Sequence, residues 1–220
     1  MNGSMDFLLW TRGTAFDVAL AIFIIGVVIR LFEIVSLGRA RSLAEPKGGE
    51  FLPGVKTVLT RTLPEGGTFK RQPLTIIAGY VFHIGLLISL LLFIPHIELF
   101  RETFGFGWPG LPNPIVDGAS VLAITGLLAA LWNRLTNPVM KLLSDKEDYL
   151  VWLLTFLPLL TGYLAYHRMI DPYPLAMGLH ILSIEILMVL FPFTKLMHTF
   201  TLILARWYSG AMSGRRGVES

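Results

Sequence analysis

Long apolar stretches alternate along this chain with short polar connections. Five stretches are almost free of charged residues, and each is at least close to the roughly 20 residues that a helix needs to cross the hydrocarbon core of a bilayer. They occupy residues 16–35, 74–94, 115–132, 149–166 and 176–207. The pattern predicts an all-α integral membrane bundle of five transmembrane helices. Because the fifth stretch is longer than one span requires, its final turns are expected to tilt or to project from the membrane.

Basic residues divide unevenly between the two ends of these predicted helices. Fourteen of the eighteen lysines and arginines lie at one set of ends, whereas Arg12, Arg101 and Arg168 lie at the other and Lys195 falls inside the fifth stretch. Cytoplasmic loops of membrane proteins are enriched in Lys and Arg. The distribution therefore predicts an N-terminus outside and a cytoplasmic C-terminus.

The connection at 38–72 is rich in Gly, Pro and charge, and is expected to form a cytoplasmic surface loop within a single domain spanning 1–220. Within it, Val55, Val58 and Leu59 either form one face of a short interfacial helix or belong to an ordinary loop. The N-terminal segment lacks the basic region and small-residue cleavage site of a signal peptide, so the first helix is expected to be retained.

Composition agrees with a lipid environment and removes several kinds of chemistry. Hydrophobic residues make up 54% of the chain, charged residues 15%, and the mean hydropathy is +0.65. The net charge of +3 needs no nucleic-acid partner, because basic loops beside a membrane account for it. The absence of cysteine excludes disulfides, thiolate metal sites, iron–sulfur clusters held by this chain and covalent c-type haem.

Five histidines lie in or beside the apolar stretches: His83, His96, His167, His180 and His198. Ionisable groups at membrane depth are costly, so they are functional candidates. His180 and His198, on the fifth predicted helix, are 18 residues apart, which is five whole turns, so both rings are expected on one face with about 27 Å between them. His83 lies on the second helix at the depth expected for His198. Facing imidazoles at equal depth predict bis-histidine ligation of haem iron.

The residues predict one pair directly and leave the other open. His83 with His198 is the first predicted pair. His180 pairs with His96 or with His167, and we favour His96. On an ideal helix His96 would be rotated about 140° from His83, but Pro95 is expected to kink or end the helix between them.

The same histidines have a simpler interpretation. They would hydrogen-bond helices together in a haem-free membrane anchor or assembly subunit. Gly79 and Gly85, beside His83, leave backbone surface for a macrocycle or serve helix packing. A proton-coupled transporter using Glu185, His96 and His180 is a third hypothesis, although the spans contain few polar residues for a water path.

Two segments carry a resemblance to a known family. Residues 82–85 (FHIG), and 179–180 (LH) together with 191–198 (FPFTKLMH), resemble the γ-subunit family of respiratory nitrate reductase, and the similarity extends over 73–206. The resemblance implies a five-helix cytochrome b with two b haems between the second and fifth helices, exchanging electrons with quinone near the outer haem. It implies His83 and His198 as ligands of the cytoplasmic-side haem and His180 as one ligand of the outer haem.

The fourth ligand departs from the nitrate reductase pattern. There the second-helix histidines are ten residues apart, whereas the corresponding residue here is Phe93, and His96 comes three residues later. That spacing resembles the branch serving heterodisulfide-reductase-like complexes. Three further residues are candidates for quinone or propionate contacts. Glu185 carries quinol protons or bonds to a neighbouring helix, and Lys195 binds a propionate or extends to the lipid headgroups. The third is His167.

The expected function follows from the resemblance and the missing cysteines. We expect a multi-pass subunit of the cytoplasmic membrane of a prokaryote, passing electrons between the quinone pool and a separate cytoplasmic iron–sulfur subunit that docks on the basic face. We expect no terminal catalytic site in this chain. The alternative remains the haem-free anchor or assembly subunit.

Overall fold

The described residues form helices and no strand. The computed structural model describes residues 3–38, 45–64 and 66–218. In chain order the α-helices are α1 (Gly3–Trp10), α2 (Phe16–Leu37), α3 (Phe51–Thr60), α4 (Gly66–Arg71), α5 (Pro73–Leu91), α6 (Ile94–Phe104), α7 (Asn113–Thr136), α8 (Pro138–Leu143), α9 (Lys146–Tyr166), α10 (Tyr173–Leu190) and α11 (His198–Arg215). A π-helical segment, Thr11–Ala15, joins α1 to α2, and 3-10 turns occupy Phe191–Phe193 and Lys195–Met197.

Five helical stretches within the described residues are long and apolar enough to cross a membrane. They are Gly3–Leu37, Pro73–Leu91, Asn113–Thr136, Lys146–Tyr166 and Tyr173–Phe193. At most 28% of the most apolar part of any stretch is buried inside the protein, so the remaining apolar surface requires lipid around it. The predicted all-α class and the five spans are confirmed, and the chain is a multi-pass membrane protein.

The chain divides into two compact units. In their described residues, the first unit comprises Met1–Leu20 and Gln72–Leu187, and the second comprises Ala21–Arg71 and Met188–Ser220. Four of the five histidines, including His96 and His180, belong to the first unit, and His198 belongs to the second.

The first unit is organised around close packing of α5 on α7. A Cβ atom added to Gly85 would lie 2.5 Å from the carbonyl oxygen of Ala119, and one added to Gly126 would lie 2.9 Å from that of Ala78. Glycine therefore allows the two backbones to approach. Gly85 serves helix packing, the second of its two predicted roles, whereas a Cβ at Gly79 would meet nothing within 4 Å.

Polar links and an apolar core fix the helices of the first unit against one another. Three interhelical hydrogen bonds of this unit are Ser89 Oγ to Ser120 Oγ at 2.8 Å, Asn133 Nδ2 to Thr75 Oγ1 at 2.8 Å, and Trp152 Nε1 to the Leu127 carbonyl at 2.8 Å. Ala123, Leu127 and Leu159 form the buried centre, with Phe82 and Trp152 packed against it. Such bonds contribute about 0.6 kcal/mol each in membrane bundles, so packing supplies much of the remaining stability.

In the second unit, α3 packs against α11 through small residues. A Cβ at Gly54 would lie 2.6 Å from the Trp207 ring, and the corresponding atom at Gly210 would overlap Thr57. Arg215 also donates to Glu50 at 3.0 Å. The sequence left open whether Val55, Val58 and Leu59 belong to a short helix or to a loop. They lie in the helix α3.

The prediction of one continuous helix over 176–207 is wrong. The structure ends α10 at Leu190 and begins α11 at His198. Pro192 lacks the N–H that would continue the helix, and Thr194 is extended, with φ −125° and ψ 173°. The five-turn relation between His180 and His198 therefore does not hold, because no single helix carries both residues.

Candidate functional site

Three of the histidines gather towards one end of the first unit. Helices α5 and α9 end there, and α7 and α10 begin there, so the connections at 92–112 and 167–172 lie side by side. We call this the histidine end. It carries His96 and His167, and His180 lies two turns into α10.

A break after α5 positions His96. The helix ends at Leu91, Phe93 is extended, and Pro95 occupies the first turn of α6, where its missing N–H costs no helical hydrogen bond. The carbonyl oxygen of Ser89 consequently loses the amide partner that the next turn would supply. His96 Nδ1 replaces that partner at 2.8 Å. Pro95 thus ends the helix, as one of the sequence alternatives predicted.

The rings of His96 and His180 lie together. Their centres are 6.3 Å apart and their planes differ by 23°. Both residues are half-buried. Burial lowers the pKa of His96, with the hydrogen bond to the Ser89 carbonyl acting in the opposite direction, so the ring is neutral near pH 7. The structure thus places His96, the partner favoured from the sequence, beside His180.

Hydrogen bonding fixes the tautomer of both rings. A carbonyl oxygen accepts only, so His96 Nδ1 carries the proton that it donates to Ser89. His180 Nδ1 lies 3.3 Å from Thr161 Oγ1, and that hydroxyl donates its own hydrogen to the Leu157 carbonyl at 2.6 Å. The hydroxyl therefore accepts from His180 Nδ1. Both neutral rings keep their lone pair on Nε2, which is the form that binds a metal.

Helix α9 is shaped to admit the His180 ring. A Cβ at Gly162 would lie 2.7 Å from His180 Cε1 and 3.3 Å from Nε2. Any larger residue at 162 would displace the imidazole. Thr161 and Gly162 therefore orient and accommodate His180 from the neighbouring helix, and neither residue was singled out from the sequence.

His83 and His198 show the same use of Nδ1. His83 Nδ1 donates to the Gly79 carbonyl at 2.7 Å, and His198 Nδ1 donates to the Lys195 carbonyl at 2.7 Å. Both side chains are exposed. His83 belongs to the first unit and His198 to the second, and their pairing stays a prediction from the sequence.

His167 makes a contact with a carboxylate. Its Nε2 lies 3.5 Å from Asp117 Oδ1. Its ring packs against Tyr163, with ring centres 4.3 Å apart. Asp117 was not singled out from the sequence, because the proximity of the α7 and α9 ends is not visible in either segment alone.

The remaining predicted contacts lie apart from this pair along the chain. Glu185 is 4% exposed, and within the described residues its Oε1 has no hydrogen-bond partner. Burying a carboxyl oxygen without a partner is costly, so Glu185 remains a candidate proton carrier. Lys195 begins the 3-10 turn before α11, and its carbonyl orients His198.

The donor set at the histidine end fits a haem iron. In the described part of the chain, no three His, Asp or Glu side chains come together to hold a metal ion. A porphyrin supplies four ligands itself and needs only two axial imidazoles. Two imidazoles bound to one iron would have ring centres about 6 Å apart, a separation close to the 6.3 Å between the stacked rings of His96 and His180, and binding would also require both Nε2 atoms to face the metal.

Comparison with known proteins gives a relative. No family model matches the chain. A protein of Nitratidesulfovibrio vulgaris (strain Hildenborough) is 31% identical over 157 residues, which cover 71% of this chain and 69% of that protein. The chain belongs to the family of this protein. Membership of this family does not assign a reaction to the chain, so its function is inferred from the site.

Proposed function

We propose that this chain is a membrane cytochrome b subunit of a respiratory oxidoreductase complex. Two b haems would carry electrons between the quinone pool and a cytoplasmic iron–sulfur subunit. The observation that carries the proposal is the His96–His180 pair, whose rings lie 6.3 Å apart at 23° with both Nδ1 atoms hydrogen-bonded. His83 and His198 supply the second pair on the sequence argument.

The residues of the chain have separate roles in this proposal. His96 and His180 hold one haem through Nε2, while Ser89 and Thr161 fix the orientation of their rings. When bound, the haem accepts and releases electrons one at a time. Both rings are half-buried, which limits the water around them and strengthens the local electrostatic interactions.

The proposal includes an orientation and a partner. Basic residues favour a cytoplasmic C-terminus and an N-terminus outside, in the cytoplasmic membrane of a prokaryote. Because the chain has no cysteine, a separate subunit must hold the iron–sulfur clusters that continue the path, and the basic face is where it would dock. The resemblance to the nitrate reductase γ-subunit family, and to its branch serving heterodisulfide-reductase-like complexes, supports the same assignment.

A difference spectrum tests the proposal directly. The full chain, purified in detergent from haem-sufficient cells, should show a sharp α band at the b-type position on reduction with dithionite. Pyridine haemochrome assay should give two haems per chain. Correctly inserted protein without that band would remove the electron-transfer function and favour the haem-free anchor, in which His96 only caps the end of α5.

A further inference from the structure

A histidine–aspartate pair lies at the histidine end beside the proposed haem ligands. His167 follows α9, and Asp117 lies in the second turn of α7. His167 Nε2 is 3.5 Å from Asp117 Oδ1, and their side chains are 30% and 32% exposed. The separation exceeds an ordinary hydrogen bond. Both groups are therefore close enough to act together and open enough to meet a further molecule.

Aromatic rings connect this pair to the proposed haem ligand. The ring centre of His167 lies 5.1 Å from that of Tyr166. Tyr166 packs edge-to-face against Phe93 at 5.2 Å, and Phe93 packs in the same manner against His96 at 5.2 Å. All of these residues belong to the first unit. An aromatic substrate lying against Tyr166 and Phe93 would thus have a proton acceptor on one side and a haem ligand on the other.

We propose that His167 and Asp117 accept the protons of quinol at this end of the protein. This inference rests on the proposed function and names the residues of its quinol site. Imidazole is the side chain suited to take and release protons near neutral pH. The Asp117 carboxylate stabilises the imidazolium that forms, and the exposure of the pair lets each proton leave to water.

The reaction balances as a two-electron oxidation. Quinol would lose two electrons and two protons to give quinone, and the haem proposed at His96 and His180, when bound, would take the electrons one at a time. Each O–H bond of quinol would break in turn, and its proton would pass to the His167–Asp117 pair. The pair would release each proton to water before accepting the next. In the reverse direction the same pair delivers protons to quinone.

Conservative variants of the full chain test this assignment. His167→Gln and Asp117→Asn should each slow quinol oxidation by about 10²-fold, the loss of a general base, with haem content unchanged. A second measurement does not depend on turnover. Quenching of tryptophan fluorescence by a short-chain quinone should give a Kd about tenfold weaker in His167→Ala, because a quinone carbonyl loses a hydrogen-bond partner.

A matched variant and the haem spectrum separate the possible failures. Glu98→Gln removes an exposed carboxylate of the same protein end, paired with Arg101 at 2.6 Å, and should change neither rate nor Kd. If His167→Gln and Asp117→Asn keep the wild-type rate and His167→Ala keeps the wild-type Kd, the pair only joins α7 to α9 and this inference is wrong. A wild-type protein without an α band would instead overturn the proposed function.

Discussion

The two predicted haem sites hold their histidines by different means. His96 and His180 bond to groups outside their own helices. His96 bonds to the Ser89 carbonyl of α5, and His180 bonds to the Thr161 hydroxyl of α9. His83 and His198 bond to carbonyls four and three residues earlier in the chain. The first two rings are half-buried and the second two are exposed.

This difference separates tertiary from local control of a ligand. The direction of the His96 and His180 rings depends on α5 ending where it does and on α9 lying beside α10. The Nδ1 bond of His83 lies within its own helix, and that of His198 lies within the turn before it. Substitutions at the break after α5 or in α9 should therefore disturb the His96–His180 pair more than the other pair, whereas substitution of a ligand should affect either site equally.

Removal of a ligand has the largest expected effect. His180→Ala should lower the haem content from two per chain to one, and His198→Ala should do the same while leaving the other haem, because each removes one axial bond. Pyridine haemochrome assay of purified variants measures the content. His167→Ala is the control and should keep both haems. Loss of haem in His167→Ala but not in His96→Ala would show that the pairing is wrong.

The sequence predicted the helical class and all five spans because apolar length is a direct requirement of the bilayer. It failed at the fifth stretch, where apolar residues continue through a break that Pro192 and the extended Thr194 produce. Hydropathy does not reveal such a break, because residues 191–193 (FPF) and 196–197 (LM) are as apolar as the residues of a membrane-spanning helix. The helix α3 was one of two alternatives, because so short a segment shows little periodicity.

At the candidate site, residue types were predictable and partners were not. Histidine at membrane depth pointed to His96 and His180 from the cost of burying an ionisable group. On an ideal helix His96 would be rotated about 140° from His83. The break at Phe93 and Pro95 removes that relation, because the two histidines lie on separate helices. The contributions of Thr161, Gly162 and Asp117 come from helices distant in sequence, so no local pattern reveals them.

A methyl group at Gly162 should have the next largest effect. In Gly162→Ala the new Cβ would lie 2.7 Å from His180 Cε1, so the imidazole must shift away from its position beside His96. Displacement of one ligand should reduce the haem content towards one per chain, with the loss confined to the His96–His180 site. Haem assay and thermal unfolding of the purified variant measure the two consequences.

Gly118→Ala provides the comparison for that variant. Gly118 lies in α7 of the same unit, and a Cβ there would meet nothing within 4 Å. Replacing a helical glycine in open space should stabilise the protein by about 0.5–1 kcal/mol and leave both haems. Equal haem loss in Gly118→Ala and Gly162→Ala would mean that the effect comes from the helices and not from the His180 ring.

The smallest expected effect concerns the hydroxyl that orients His180. Thr161→Val keeps the shape of the side chain but removes the hydroxyl acceptor for Nδ1, so the His180 ring loses one of the contacts that fix its rotation. Loss of such a partner weakens metal binding about 10-fold to 100-fold, and the midpoint potential of one haem should shift. Thr125→Val, which removes a hydroxyl bonded only to its own helix at 2.8 Å, is the matched control. If the midpoint potential of one haem shifts in Thr161→Val and not in Thr125→Val, α9 sets the orientation of His180. Equal shifts of both haems would mean that the substitution changes the helix bundle as a whole.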